Sequence, residues 1–151
     1  MVRKFSIAMA VMTALIITVG GVMAANAHYV QGPNVSASST SLTISGKAAG
    51  LGNASATADA SLTGTVDVFS RCYNRGGNKP QADNKQETVN VNQNQTFDVR
   101  NGQVTFSFTV SPLSTLTCPG NQQVVVESVS WNLTLTWPGF PSLNTTVSGS
   151  L

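Results

Sequence analysis

The sequence has few of the residues on which most catalytic and metal-binding sites depend. It contains one histidine, His28, two cysteines, Cys72 and Cys118, and only 9% charged residues. A structural zinc site needs four ligands, mostly cysteine and histidine, and a Cys–His catalytic pair would depend on His28 alone. The nucleophile-elbow, HExxH, P-loop and dinucleotide-binding motifs are absent from the sequence as well. We therefore expect a protein that is not an enzyme and that uses no cofactor.

The first 27 residues have the three-part pattern of a secretory signal. Arg3 and Lys4 form a basic head, the stretch from Ile7 to Val19 is almost entirely apolar, and Ala25-Asn26-Ala27 offers small residues to a signal peptidase. An uncleaved membrane anchor is the alternative. Cleavage after Ala27 would remove 27 of the 151 residues and leave 124, enough for one domain, residues 28–151, secreted to the extracellular space.

Positive charge is also scarce once this signal is removed. Loss of Arg3 and Lys4 leaves six basic and six acidic residues, and thus a formal net charge of zero. Binding to nucleic acid or to an anionic membrane has no general electrostatic support in such a chain. We expect neither partner for the mature protein.

His28 would become the N-terminal residue. A terminal amine together with an imidazole nitrogen is the first half of a copper-binding histidine brace, but the second histidine of a brace is missing. A copper protein or secreted enzyme is therefore the least favoured hypothesis. The other interpretation of His28 is a terminal residue that precedes the first strand.

Two cysteines in an exported chain predict one disulfide bond. Secreted proteins fold in an oxidising compartment, and Cys72 and Cys118 have no other cysteine partner.

Apolar and polar residues alternate with a period of two along most of the chain, which predicts strands. The alternating positions are Leu42 and Ile44, Ala56 to Val68, Val89 and Val91, Val104 to Val110, Val125 to Trp137, and Leu143 to Val147. The stretch from Ala54 to Cys72 predicts either one long strand or two strands that meet near Gly64. We predict an all-β fold, a single immunoglobulin-like β-sandwich of about six to eight strands, with a closed barrel as the alternative.

The stripe that ends at Trp137 contains the two tryptophans and one acidic residue. Trp131 lies in the middle of the stripe, which predicts the centre of the core. Trp137 stands at the end beside Pro138, where we expect a rim or an exposed platform for ligand binding. Glu127 interrupts the stripe, and we place it near the start of the strand.

The segment from Arg71 to Lys85 is the most distinctive stretch. It holds four of the six mature basic residues, two adjacent glycines at Gly76-Gly77, and Cys72 at its base. The candidate ligand-binding residues here are Arg71, Tyr73, Asn74, Arg75, Asn78 and Lys79. Such a loop suits an acidic glycan or an anionic cell-wall polymer, and a solvated connection is the alternative.

The Asn- and Gln-rich tract from Asn90 to Gln95 predicts a loop or an edge strand.

Four segments carry a resemblance to known proteins. An uncharacterised group of small secreted bacterial and fungal proteins has segments similar to His28-Tyr29-Val30, Gly32-Pro33, the run from Gly46 to Asn53 and the run from Cys72 to Pro80. The resemblance covers about half of the mature chain and implies a secreted β-domain with no assigned activity. A weaker likeness is to fimbrial pilins, in length, in Thr-, Asn- and Ala-rich strands and in a single disulfide.

These observations leave three functional hypotheses from different classes. The first is a non-enzymatic secreted surface, matrix or ligand-binding protein. The second is a structural subunit that self-associates into an extracellular fibre by strand exchange. The third is the secreted enzyme or copper protein.

Overall fold

The computed structural model describes residues 26–53, 56–74, 76–77 and 84–151, and these residues form an all-β domain. Its strands are β1 (His28–Ala37), β2 (Leu42–Ala49), β3 (Thr57–Tyr73), β4 (Asn84–Arg100), β5 (Gln103–Val110), β6 (Gln123–Thr136) and β7 (Thr145–Ser150), and a 3₁₀ turn (Pro141–Leu143) precedes β7. No helix among these residues has the length and apolar character needed to cross a membrane. Residues 1–25 of the predicted signal lie outside the described residues, and β1 begins at His28.

The seven strands form one antiparallel sheet in the order β1-β2-β5-β4-β3-β6-β7, which curls until it is nearly closed. Lettered A to G along the chain, this order places A-B-E-D beside C-F-G, as in an immunoglobulin constant-type domain. The two halves are continuous because β4 pairs with β3 along its length and with β5 only at Val99 and Arg100. The prediction of a single all-β domain of six to eight strands is confirmed.

The core follows directly from the alternation in the sequence. In β5 every second residue, from Val104 to Val110, is buried and its neighbours are exposed. In β3 the predicted apolar face, from Ala58 to Val68, is buried in the same way. Apolar side chains of the two halves thus face one another across a shared interior.

β3 is one long strand rather than two, and Gly64 is the reason it can remain continuous. Gly64 has a φ of +137°, and a Cβ at this position would collide with the backbone of Asn132 and Leu133 on β6. Only glycine allows so close an approach of the two backbones. Of the two alternatives that the sequence leaves open, one long strand is therefore the one that the structure shows.

β6 contains a bulge that strict alternation does not reveal. Ser128 is opposite Phe69 and Val126 is opposite Ser70, so Glu127 is an extra residue between the two pairs. A bulge reverses which face each residue occupies on its N-terminal side. Val125, which we had placed on the core stripe, is instead 37% exposed on the outer face, so that assignment was wrong.

The assignments of the two tryptophans were also wrong. Trp131 is only partly buried, and its ring covers Gly149 on β7, where a Cβ would lie 2.5 Å from the ring. Trp137 is completely buried and packs edge-to-face on Phe106 with ring centroids 5.4 Å apart, so it cannot be an exposed platform. Trp137 is buried because every second residue from Leu133 faces the core, and this alternation continues to Trp137, one residue beyond the end of β6.

Hydrogen bonds hold Trp137 in this position. Its backbone N–H donates to Asn144 Oδ1 over 2.7 Å, and its Nε1 donates to the Tyr29 hydroxyl over 3.1 Å. Tyr29 in turn donates to the carbonyl of Leu143 over 2.5 Å, and Ser142 donates to the carbonyl of Ala27. These bonds join the start of β1 and the end of β6 to the 3₁₀ turn that precedes β7. Burial raises the pKa of Tyr29, and the hydrogen bond from Trp137 lowers it by a smaller amount.

Candidate functional site

The structure places the predicted loop at the end of β3. Arg71 and Tyr73 are the last outward-facing residues of that strand, and Asn74 accepts a hydrogen bond from the N–H of Gly77 over 2.9 Å. The candidates Arg75, Asn78 and Lys79 lie outside the described residues. Cys72 faces inward and is bonded to Cys118, with the two Cα atoms 5.6 Å apart. The two cysteines thus lie at disulfide distance, as the sequence predicts.

Arg71 is engaged within the protein. Its Nε lies 3.2 Å from a carboxylate oxygen of Glu127, and its guanidinium sits 5.0 Å from the centre of the Phe69 ring. The Tyr73 hydroxyl donates to the other oxygen of the same carboxylate. Glu127 is the extra residue of the bulge in β6, between the partners of Phe69 and Ser70, and from there its carboxylate reaches Arg71 and Tyr73.

Lys85, at the other side of the loop, is engaged in the same manner. Its Nζ lies 3.0 Å from Glu87 and donates to the Thr115 hydroxyl over 2.6 Å. Glu87 also accepts from the Ser114 hydroxyl and from the N–H and hydroxyl of Thr115. Hydrogen bonds from Thr115 are the largest cause that lowers the pKa of Glu87 to about 2. The two described cations of the predicted loop therefore have internal partners. Arg71 joins β3 to β6 through Glu127, and Lys85 together with Glu87 joins β4 to Ser114 and Thr115.

His28 lies at the start of β1 with its Nδ1 2.6 Å from the carbonyl oxygen of Asn26. Among the residues that the structure describes, no group of three or more His, Cys, Asp or Glu side chains is placed to hold a metal ion.

A second cationic site, which sequence reasoning did not identify, lies on the outer face of the other half of the sheet. Lys47 on β2 is opposite Thr105 on β5, and Arg100 on β4 is opposite Gln103 on β5. With Asp98, these four residues line a surface depression of about 390 Å³. We call this depression the polar groove.

Within the part of the chain that the structure describes, the charged groups of the polar groove have no ion-pair partner. The described part of the chain contains two ion pairs, Arg71–Glu127 and Lys85–Glu87, and neither involves Lys47, Asp98 or Arg100. Among the basic residues that the structure describes, Lys47 and Arg100 are thus the two without an ion-pair partner.

The β4–β5 hairpin sets the position of Arg100. Asn101 and Gly102 form its two-residue turn, with φ angles of 52° and 69°. Positive φ at both positions is the signature of a type I′ turn, and Asn-Gly is its favoured sequence. The turn closes the Arg100–Gln103 pair, and Lys47 is brought beside it by the β2–β5 register.

The polar groove continues onto β1. A second depression of about 250 Å³ shares Lys47 and Thr105 with it. Its remaining polar lining consists of Gln31, Asn34, Ser45 and Ser107. The combined surface crosses four strands and offers amides, hydroxyls, two cations and one carboxylate.

Searches against protein-family models, curated proteins and solved structures find no match to this chain. The resemblance to small secreted proteins and to pilins therefore stays a prediction, and the candidate site is argued on its geometry alone.

Proposed function

We propose that this protein is a non-enzymatic extracellular domain that binds an acidic glycan in the polar groove. One observation carries the proposal. Lys47 and Arg100, which have no ion-pair partner among the described residues, line one depression together with Asp98, Gln103 and Thr105. Support for an extracellular location comes from the predicted signal and from the cysteine pair at disulfide distance.

The chemistry of the groove matches the chemistry of a uronic-acid polymer. A guanidinium can bind a carboxylate through two parallel hydrogen bonds, and a lysine ammonium adds a second, more compact positive charge. Asp98 and Gln103 are exposed and can accept hydrogen bonds from sugar hydroxyls. The adjoining depression, with Gln31 and Asn34, extends the surface for further sugar units.

The polar groove suits this role better than the described part of the predicted loop. Arg71 already forms an ion pair with Glu127, and Lys85 forms one with Glu87. A ligand that bound these cations would have to displace internal partners, which would cost part of its binding energy.

The experiment compares two double variants in calorimetric titrations with oligogalacturonate. Lys47→Ala with Arg100→Ala removes both groove cations, and we expect at least about a tenfold loss of affinity, since charge-assisted hydrogen bonds contribute about 1.5–3 kcal/mol each. Arg75→Ala with Lys79→Ala removes the same charge from the predicted loop and should leave affinity nearly unchanged. Wild-type binding should weaken as salt increases, and a neutral dextran should not bind.

The result that would contradict the proposal is equal weakening by the two double variants, which would indicate a non-specific charge effect. Loss of affinity only in the Arg75 and Lys79 variant would assign binding to the loop instead. Absence of any oligogalacturonate binding by the wild type would also reject the acidic-glycan proposal.

A further inference from the structure

β4 carries a long backbone edge with which no other strand pairs among the residues that the structure describes. It pairs with β3 from Asn84 to Asp98 without a register shift, whereas its pairing with β5 is limited to Val99 and Arg100. Beyond the hairpin, side chains make the contacts between the two strands: Phe97 packs on Phe106 and Phe108, and Gln93 Nε2 donates to the carbonyl of Thr109 over 2.9 Å. The Asn- and Gln-rich tract, for which the sequence predicts a loop or an edge strand, lies in this part of β4, where only the β3 side has backbone pairing.

The hydrogen-bond parity of β4 identifies which residues form this edge. Val99 donates to the carbonyl of Ala56, so this pair belongs to the hydrogen-bonded set of the β3–β4 ladder. Such pairs alternate along an antiparallel ladder, and the odd-numbered residues of β4 therefore point their N–H and C=O groups to β3. The even-numbered residues point theirs away from β3, and in the central part of the strand these are Thr88, Asn90, Asn92, Asn94 and Thr96.

This edge lacks the features that usually prevent strands from pairing between molecules. Edge strands are normally interrupted by bulges, proline or lysine. β1 has two register shifts and Pro33, which has no N–H. The segment of β4 from Thr88 to Thr96 has a regular register and contains no proline and no charged residue.

We propose that a second copy of this chain pairs with β4 through this edge, antiparallel, so that two domains share one continuous sheet. The charge pattern favours a like partner. Antiparallel pairing centred on Val91 places Asn90 opposite Asn92, Glu87 opposite Gln95 and Lys85 opposite Phe97 of the other copy, so that no like charges meet. Amide side chains on the exposed face can also form hydrogen bonds with their own kind across the pair.

The interface is symmetric and therefore closes after two copies. Each domain uses the same edge, and a two-fold arrangement leaves no second β4 edge for a third copy. This distinguishes the assembly from a fibre built by strand exchange, in which a donor edge and a different acceptor edge repeat along the filament. The central segment of the interface, Thr88 to Thr96, contributes no residue to the lining of the polar groove, so the two proposals can fail independently.

The test measures sedimentation of the full mature chain over a range of concentrations. We expect a monomer–dimer equilibrium. Asn92→Pro removes an N–H that points away from β3, and proline is tolerated at such edge positions. Because two copies each lose one hydrogen bond, we expect the dissociation constant to rise at least about tenfold. Asn92→Thr keeps the N–H and should keep the dimer.

Amide hydrogen exchange gives a second measurement that needs no variant. In the dimer the amides of Asn90, Asn92 and Asn94 should be protected, whereas on dilution to monomer they should exchange quickly. The amides of Val91 and Gln93 should be protected in both states because they face β3. A chain that stays monomeric at every concentration, a dimer unaffected by Asn92→Pro, or open filaments in electron micrographs would overturn the proposal.

Discussion

The two ends of the domain are stabilised by different kinds of interaction. At one end, which we call the aromatic end, Trp137 is buried among Tyr29, Phe97 and Phe106. At the other end, which we call the ionic end, Arg71 and Lys85 bind Glu127 and Glu87 beside the Cys72–Cys118 pair. β6 runs from the ionic end to the aromatic end, so one strand passes through both environments.

The comparison shows that the two ends of one alternating strand can be stabilised by different interactions. Burial of apolar surface holds the aromatic end and depends little on pH. Ion pairs and charge-assisted hydrogen bonds hold the ionic end, and they depend on the ionisation of two carboxylates. Variants at the two ends should therefore respond differently to acid.

The largest effect is expected at the aromatic end. Trp137→Ala would leave a large cavity beside Phe106, and we expect the free energy of unfolding to fall by about 3–5 kcal/mol. Trp131→Ala is the matched control on the same chain segment, and its cost should be clearly smaller because Trp131 is only partly buried. Denaturant unfolding of both variants measures the difference. Equal costs would contradict the prediction, because the partly buried Trp131 would then contribute as much to the core as the buried Trp137.

A smaller effect is expected when the Tyr29 hydroxyl is removed. Tyr29→Phe would leave Trp137 Nε1 without its acceptor and the Leu143 carbonyl without its donor, at a cost of about 1–3 kcal/mol. Because the folded-state pKa of Tyr29 is raised, wild-type stability should fall as pH rises from about 10 through that higher value. The variant should lack this alkaline loss. Unfolding measured at neutral and at alkaline pH tests both statements, and an unchanged alkaline loss in the variant would contradict the second.

The smallest effect, and the only one that depends on acid, is expected at Glu87. Its folded-state pKa of about 2 lies below the ordinary value of 4.5, so its contribution is complete above pH 4.5 and disappears as pH falls from 4.5 to 2. Glu87→Gln should therefore be less stable than the wild type at neutral pH and should approach it near pH 2. Asp98→Asn, in the polar groove, is the control and should retain the acid loss of the wild type. A Glu87→Gln variant that loses stability with acid as steeply as the wild type would show that other carboxylates are responsible.

Sequence pattern alone could predict much of this fold, but not the positions where the pattern is interrupted. The alternation from Val104 to Val110 places β5 and its buried face correctly because nothing interrupts its period of two. In β6 the extra residue at Glu127 shifts Val125 to the outside, and no local feature of the sequence marks the bulge. The alternation at Val89 and Val91 marks only a short part of β4, which spans Asn84–Arg100 because pairing with β3 stabilises its polar residues.

The polar groove could not be predicted because it depends on long-range register. Lys47 and Arg100 are far apart in the sequence, and β5 brings them together by pairing with β2 on one side and β4 on the other. The predicted loop drew attention because its cations are adjacent in sequence. Adjacency in the chain shows where charge is concentrated, whereas only the fold shows which carboxylates already neutralise it.

The short pairing between β4 and β5 has a consequence for how the chain folds. The Asn101-Gly102 turn joins neighbours in sequence, so this hairpin can form after a small loss of chain entropy. Two of the other ladders join distant segments: β2–β5 pairs Leu42 with Val110, and β3–β6 pairs Ser61 with Thr136. Contacts between distant segments slow folding, and domains dominated by them fold in milliseconds to seconds. We therefore expect the hairpin to act as a local nucleus on which the two halves of the sheet assemble.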